Sequence, residues 1–184
     1  LARVQARSGA KVLAALKAFS MWSLAPLISR YLSGTCASGL FEAKLGREHY
    51  GGEVHVYSAA FHPNEFDQVT ALADHIVFNS FSQWQRFRPA IEALWAQGKH
   101  INVGLRINPE HSEGTVPLYD PCAPGSRLGI PISAFEGESL EGISGLHFHT
   151  LCEQDLPPLE RTLDAIEKKF GHILSQMEWV NFGG

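Results

Sequence analysis

The chain is 184 residues long, 45% hydrophobic and 18% charged, with a formal net charge of −4. That length supports about one domain with a real core, and the even spread of apolar residues excludes intrinsic disorder. The acidic balance speaks against a backbone-neutralising nucleic-acid binder, and no apolar run reaches the ~18 residues of a membrane span.

Along the chain, short apolar runs alternate with amphipathic stretches. Residues 1–10 read as helix and carry no leader pattern of basic residues followed by a long apolar run. Val12-Leu13-Ala14-Ala15-Leu16 is a buried-strand pattern ending at Lys17. Helix follows over 21–32, a short strand over 34–37, and helix over 40–50, stopped by Gly51-Gly52. Residues 54–57 alternate and read as strand, 64–74 as helix and 75–78 as strand. Asn79-Ser80 caps a helix over 81–97, and Gly98 ends it. Residues 101–107 are a clear strand. The stretch 108–131 is rich in Pro and Gly and too long for an ordinary βα connection, so it is expected to be functional or disordered. Strand over 143–149, helix over 159–174 and strand over 179–182 complete the series. Leu159, Leu163, Ile166 and Phe170 give the last helix its apolar face, and Trp22, Trp84, Trp95 and Trp179 read as core.

Strict alternation of strand and helix predicts parallel βα units. No glycine-rich dinucleotide fingerprint follows an early strand, which argues against a doubly wound sheet. The fold expected is α/β, a (β/α)8 barrel with seven strands present. A complete barrel needs one more strand and about 250 residues. The start at Leu1 and the ending Gly183-Gly184 point the same way, to a partial barrel domain over 1–184 of a longer protein. Cys36, Cys122 and Cys152 are odd in number and scattered, which is no disulfide framework and points to a reducing cytoplasm.

In such barrels the chemistry sits at the carboxyl ends of the strands. Those ends carry Lys17, Ser38, Ser58, Asn79, Arg106 with Asn108, His147 with His149, and Asn181 before Gly183-Gly184, a polar, cationic set suited to an anionic ligand. Lys17 follows five apolar residues. It reads either as a buried amine with a lowered pKa, able to form a Schiff base, or as a strand-end lysine reaching solvent. His147 and His149 share a strand face. They read as a metal pair, as a ring stacked on a planar cofactor, or as hydrogen-bonded core histidines. A metal is the weaker reading, because no carboxylate ends a strand nearby and Lys17 and Arg106 would repel a cation. Arg106 could hold a phenolate or carboxylate, or a structural ion pair. Gly183-Gly184 reads as a phosphate loop after the seventh strand or as an ordinary turn. Cys152 reads as a small buried thiol. A Schiff-base lysine, a stacked ring and a phosphate loop together suit pyridoxal 5′-phosphate.

The same residues carry a family resemblance. Ala15-Leu16-Lys17-Ala18-Phe19-Ser20, Ala37-Ser38-Gly39-Leu40-Phe41-Glu42, Arg106-Ile107-Asn108-Pro109, Gly125-Ser126-Arg127-Leu128-Gly129, Gly145-Leu146-His147-Phe148-His149-Thr150-Leu151-Cys152-Glu153 and Asn181-Phe182-Gly183-Gly184 occur in family order. The chain resembles the barrel domain of the fold-type III pyridoxal-phosphate enzymes, the group of alanine racemase, ornithine decarboxylase and diaminopimelate decarboxylase. The resemblance implies that Lys17 forms the Schiff base, His149 stacks on the pyridine ring, Arg106 lies near the cofactor, and Gly183 and Gly184 open the phosphate loop. It implies a polyamine substrate, with loss of the α-carboxylate of carboxynorspermidine or carboxyspermidine. It also implies a homodimer, with a β-domain and further catalytic residues outside this chain. Thr35 and Cys152 stand where ornithine decarboxylases carry Asp and Ser, which implies a substrate other than ornithine. Rival expectations are a diaminopimelate or other basic amino-acid decarboxylase, a non-catalytic pyridoxal-phosphate homeostasis barrel, and a metal-dependent barrel hydrolase built on His147 and His149.

Overall fold

The structure, a computed structural model, describes residues 1–183. Gly184 lies outside the described residues. Two compact units form, one from Leu1–Ile76 with Phe87–Ile101, the other from Val77–Arg86 with the residues from Asn102 on. Strands follow one another in chain order, and every ladder described is parallel.

The first unit contains α1 (Ala2–Ser8), β1 (Leu13–Ala15), α2 (Ala25–Ile28), β2 (Gly34–Ala37), α3 (Leu40–Leu45), β3 (Glu53–Tyr57) and α4 (Pro63–Leu72). Its register places Leu13, Gly34 and Glu53 on one rung and Ala15, Cys36 and His55 on the rung two residues on. The single helix expected over 21–32 is broken. A 3-10 turn, Trp22–Leu24, precedes α2, because Pro26 lacks an N–H and fits only a first helical turn. The alternation expected over 54–57 is absent too, since Val54, His55 and Val56 are all buried. A parallel strand covered on both faces reads as a continuous buried run. Leu16, Ala25 and Tyr50 form one core cluster, joined by Ile28 and Leu45. Phe66 stacks on Phe87 with centroids 4.0 Å apart.

β4 (His75–Phe78) and α5 (Phe81–Ala96) contribute residues to both units. The second unit adds β5 (Asn102–Arg106), β6 (Gly145–His147), α6 (Leu156–Leu174) and β7 (Trp179–Asn181). α6 buries Thr162, Ile166, Phe170 and Ile173, a helical spacing, and Phe170 meets Phe135 edge-on at 5.5 Å. The strand expected over 143–149 contracts to Gly145–His147. The 108–131 stretch is irregular, as expected, but returns to the sheet: Ile130 bridges Ile107 in parallel beyond the end of β5. Of the tryptophans expected in the core, only Trp84 is fully buried, and Trp22 is exposed. Seven strands are present and an eighth is absent among the described residues. No helix among them is long and apolar enough to cross a membrane.

Candidate active site

Lys17 belongs to the first unit. It occupies the turn after β1 and is exposed, so the burial expected of it is not found. The apolar run that suggested burial ends one residue earlier, at Leu16, which is 2% exposed. Ala15, two residues before Lys17, is the register partner of Cys36. Burial pushes the Cys36 thiol up, and the Lys17 charge works against that shift. Ser38 follows β2 and is held by Glu42, whose carboxylate accepts the Ser38 N–H at 2.7 Å.

The second unit places a polar rung at the carboxyl ends of its strands. Arg106, His147 and Asn181 are register partners across β5, β6 and β7. His147 Nδ1 lies 3.0 Å from Asn181 Oδ1, and the same oxygen accepts the Gly183 N–H at 2.8 Å. An oxygen that already receives one donor assigns His147 as the Nδ1–H tautomer. Burial holds the His147 imidazole down at about 3, with the Arg106 charge adding to the effect, so this histidine is neutral. Arg106 itself is 4% exposed, and its Nη2 donates to the His149 carbonyl at 3.2 Å. The guanidinium therefore fixes the main chain that carries the His149 ring. His149 is half-buried, with its ring nearly parallel to that of His147 at 6.5 Å.

Gly183 follows β7 and packs against this rung. Its φ is +72°, and a Cβ there would lie 2.5 Å from the Phe148 carbonyl oxygen and 2.7 Å from His149 Nδ1. Only glycine combines this left-handed backbone with such an approach. Thr150 Oγ1, also buried, makes no hydrogen bond.

The irregular 108–131 stretch is tied down beside the site. Arg161 on α6 grips the Glu113 carboxylate at 2.7 and 2.6 Å, and His111 Nε2 lies 3.1 Å from it. The Arg161 hydrogen bond holds the Glu113 carboxyl down at about 2. Asn79, after β4, holds the 125–129 segment through Arg127 O at 2.8 Å and Gly129 N at 2.9 Å. Cys152, expected to be buried, is exposed in the loop after β6. The sequence reading passed over a further cluster, Glu53, His55 and His75, although its Glu-x-His spacing on one strand face was visible.

No family model matches the chain. Two curated relatives align with nearly all of it. A carboxyaminopropylagmatine decarboxylase from Synechocystis sp. is 42% identical over 182 residues, 99% of this chain and 46% of the relative. A carboxynorspermidine/carboxyspermidine decarboxylase from Campylobacter jejuni is 44% identical over 184 residues, 100% of this chain and 46% of the relative. Among solved structures, carboxynorspermidine decarboxylase from C. jejuni, complexed with norspermidine, superposes with a TM-score of 0.86 at 41% identity, covering all of this chain and 45% of that one. The chain thus spans just under half the length of the relatives it matches. Along its whole length, the chain is similar to part of the carboxynorspermidine/carboxyspermidine decarboxylases, in sequence and in fold.

Proposed function

We propose that the whole protein is a pyridoxal-phosphate-dependent decarboxylase that removes the α-carboxylate of carboxynorspermidine or carboxyspermidine, releasing norspermidine or spermidine. The observation that carries this reading is the 44% identity along the full chain to the C. jejuni enzyme. The norspermidine named for the solved structure supports a polyamine-sized ligand.

The residues present fit the cofactor. The buried, unbonded Thr150 hydroxyl is a polar group available to a ligand, and Gly183 packs without a side chain directly against Phe148 and the His149 ring. Lys17 would hold the cofactor's aldehyde, and its exposure leaves the amine open to that partner and to an incoming substrate amine. His149 would face the pyridine ring, with Arg106 holding its main chain in place. The Gly183 N–H is already taken by Asn181, so Gly183 contributes the close packing that seats the His149 ring rather than a donor. Gly184 shares the phosphate-loop role in this reading. When bound, the cofactor supplies an electron sink for the carbanion left by loss of carbon dioxide. His147, neutral and hydrogen-bonded, orients the rung and carries no proton to the reaction. In this reading the protein works as a homodimer in a reducing cytoplasm, in keeping with its three unpaired cysteines.

The test is carbon dioxide release by the full-length protein. Carboxynorspermidine, carboxyspermidine, carboxyaminopropylagmatine, diaminopimelate and ornithine are offered in parallel. Best turnover on one of the first two is expected. The 42% identity to the Synechocystis relative favours a second reading, in which the guanidino-bearing substrate is preferred. Best turnover on diaminopimelate or ornithine overturns both. Lys17→Ala should abolish the visible absorption of bound cofactor, and its persistence would remove Lys17 from the role.

A further inference from the structure

A second constellation lies in the first unit, away from the carboxyl ends that carry Lys17. Glu53 opens β3, His55 stands two residues along the same strand face, and His75 opens β4. The ligand atoms of all three lie within 4.8 Å of one another. His55 Nε2 is 2.9 Å from Glu53 Oε2, and the two imidazoles stack with centroids 3.8 Å apart and planes 10° from parallel. Both histidines are 9% exposed. His55 Nδ1 is buried and makes no hydrogen bond. A polar atom in that state is costly to leave unmatched.

We propose that Glu53, His55 and His75 form a binding site for a divalent transition-metal ion of the zinc class. Two imidazoles and one carboxylate are the protein ligands of an open tetrahedral zinc site, with bonds of about 2.0–2.2 Å. Ligand atoms around such an ion sit about 3.3 Å apart by that geometry. The Glu53 Oε2–His55 Nε2 separation is 2.9 Å, and all three ligand atoms lie within 4.8 Å of one another, so small side-chain movements reach that spacing. A turn of one ring about its soft χ2 brings both nitrogens toward one point. The opposing charge is Lys11, which pairs with the other Glu53 oxygen, yet its side chain is 59% exposed and free to swing out. Asp74 follows close by and adds negative charge, although its carboxylate is engaged by Arg47 and by the Val54 N–H.

The site stands on different residues from the proposed cofactor chemistry, so its test reads binding rather than turnover. Tag-free full-length protein is titrated with zinc by calorimetry and with cobalt(II) by visible absorption. One saturable ion per chain is expected, with the absorption of a tetrahedral nitrogen and oxygen site. His75→Asn and Glu53→Gln should each weaken binding by about a hundredfold, since even outer partners of a metal ligand are worth about 10- to 100-fold. Lys11→Ala, at an exposed position that folding tolerates, should tighten binding several-fold by removing the competing cation. The Lys17→Ala protein should bind as the wild type does. Absence of saturable binding, unchanged affinity in folded His75→Asn and Glu53→Gln proteins, or loss of binding with Lys17→Ala, which would move the ion to the cofactor, each overturns the assignment.

Discussion

Gly183→Ala tests the geometry of the candidate site most directly, because another glycine supplies its control. Gly183 and Gly9 share nearly the same left-handed backbone, with φ of +72° and +74°. An alanine in that region costs roughly 1–2 kcal/mol at either position. The surroundings differ. A Cβ at Gly9, the C-cap of α1, meets no atom within 4 Å. At Gly183 it would lie 2.5 Å from Phe148 O, 2.7 Å from His149 Nδ1 and 2.9 Å from His149 Cα. Even a weak C–H···O contact needs about 3.3–3.6 Å. Relieving such an overlap against backbone typically costs roughly 1–3 kcal/mol more. Gly183→Ala is therefore expected to destabilise by roughly 2–5 kcal/mol and Gly9→Ala by roughly 1–2 kcal/mol. Urea unfolding of the full-length wild type and both variants measures the difference. In the proposed reading, where His149 faces the cofactor, relieving the overlap by moving His149 should also weaken cofactor retention, about tenfold for every 1.4 kcal/mol expressed at the site. Equal losses for the two alanines would show that Gly183 is an ordinary turn glycine.

Two further outcomes follow from the same half of the chain. An unfolded histidine titrates near 6.5, whereas His147 stays neutral until about 3 in the fold. The unfolded chain therefore binds the extra proton in that window. Stability should therefore rise with pH across that window, and be lost as the pH is lowered from 6.5 towards 3, with a slope of up to ~1.4 kcal/mol per pH unit from this residue. Denaturant midpoints across the window should lose that slope in His147→Asn, and an unchanged pH profile would contradict the burial. Gly145→Ala places a Cβ 2.1 Å from the Trp179 indole, whose Nε1 donates to Ser144 Oγ. Destabilisation by roughly 1–3 kcal/mol is expected. Adding Trp179→Leu should recover part of the loss, and a purely additive double variant would sink the packing argument.

What was legible in the sequence was what depends on neighbours along the chain. The strand at His75–Phe78 matches the expected range to the residue, because Ile76-Val77-Phe78 is the apolar run of a covered parallel strand, and the strand at Gly34–Ala37 matches as well, although its Gly-Thr-Cys-Ala signal is weak. Pro26 could have warned that 21–32 is not one helix, since a proline inside a helix must open a first turn. At strand 143–149 the apolar signal outlasted the regular ladder: Phe148 is 0% exposed, yet only Gly145–His147 is strand.

Register was not legible, and most of the site's chemistry depends on it. Arg106, His147 and Asn181 were each read as strand-end residues, but their shared rung follows from ladders spanning 41 and 34 residues of chain. That rung gives Arg106 a carbonyl partner where the sequence suggested an anion. The same limit hid the third member of the Glu53, His55 and His75 cluster, which comes from the next strand. It also hid the fit of Trp179 over Gly104 and Gly145, where two missing side chains make room for one large one. Lys17 shows the converse error. Its apolar prelude was local and correct, but burial is decided by where the chain turns, and it turns at Leu16. An exposed lysine at that point weakens the case for activation by burial alone. In the proposed reading, Lys17 thus meets the cofactor and the incoming amine from an exposed turn rather than from a dry pocket.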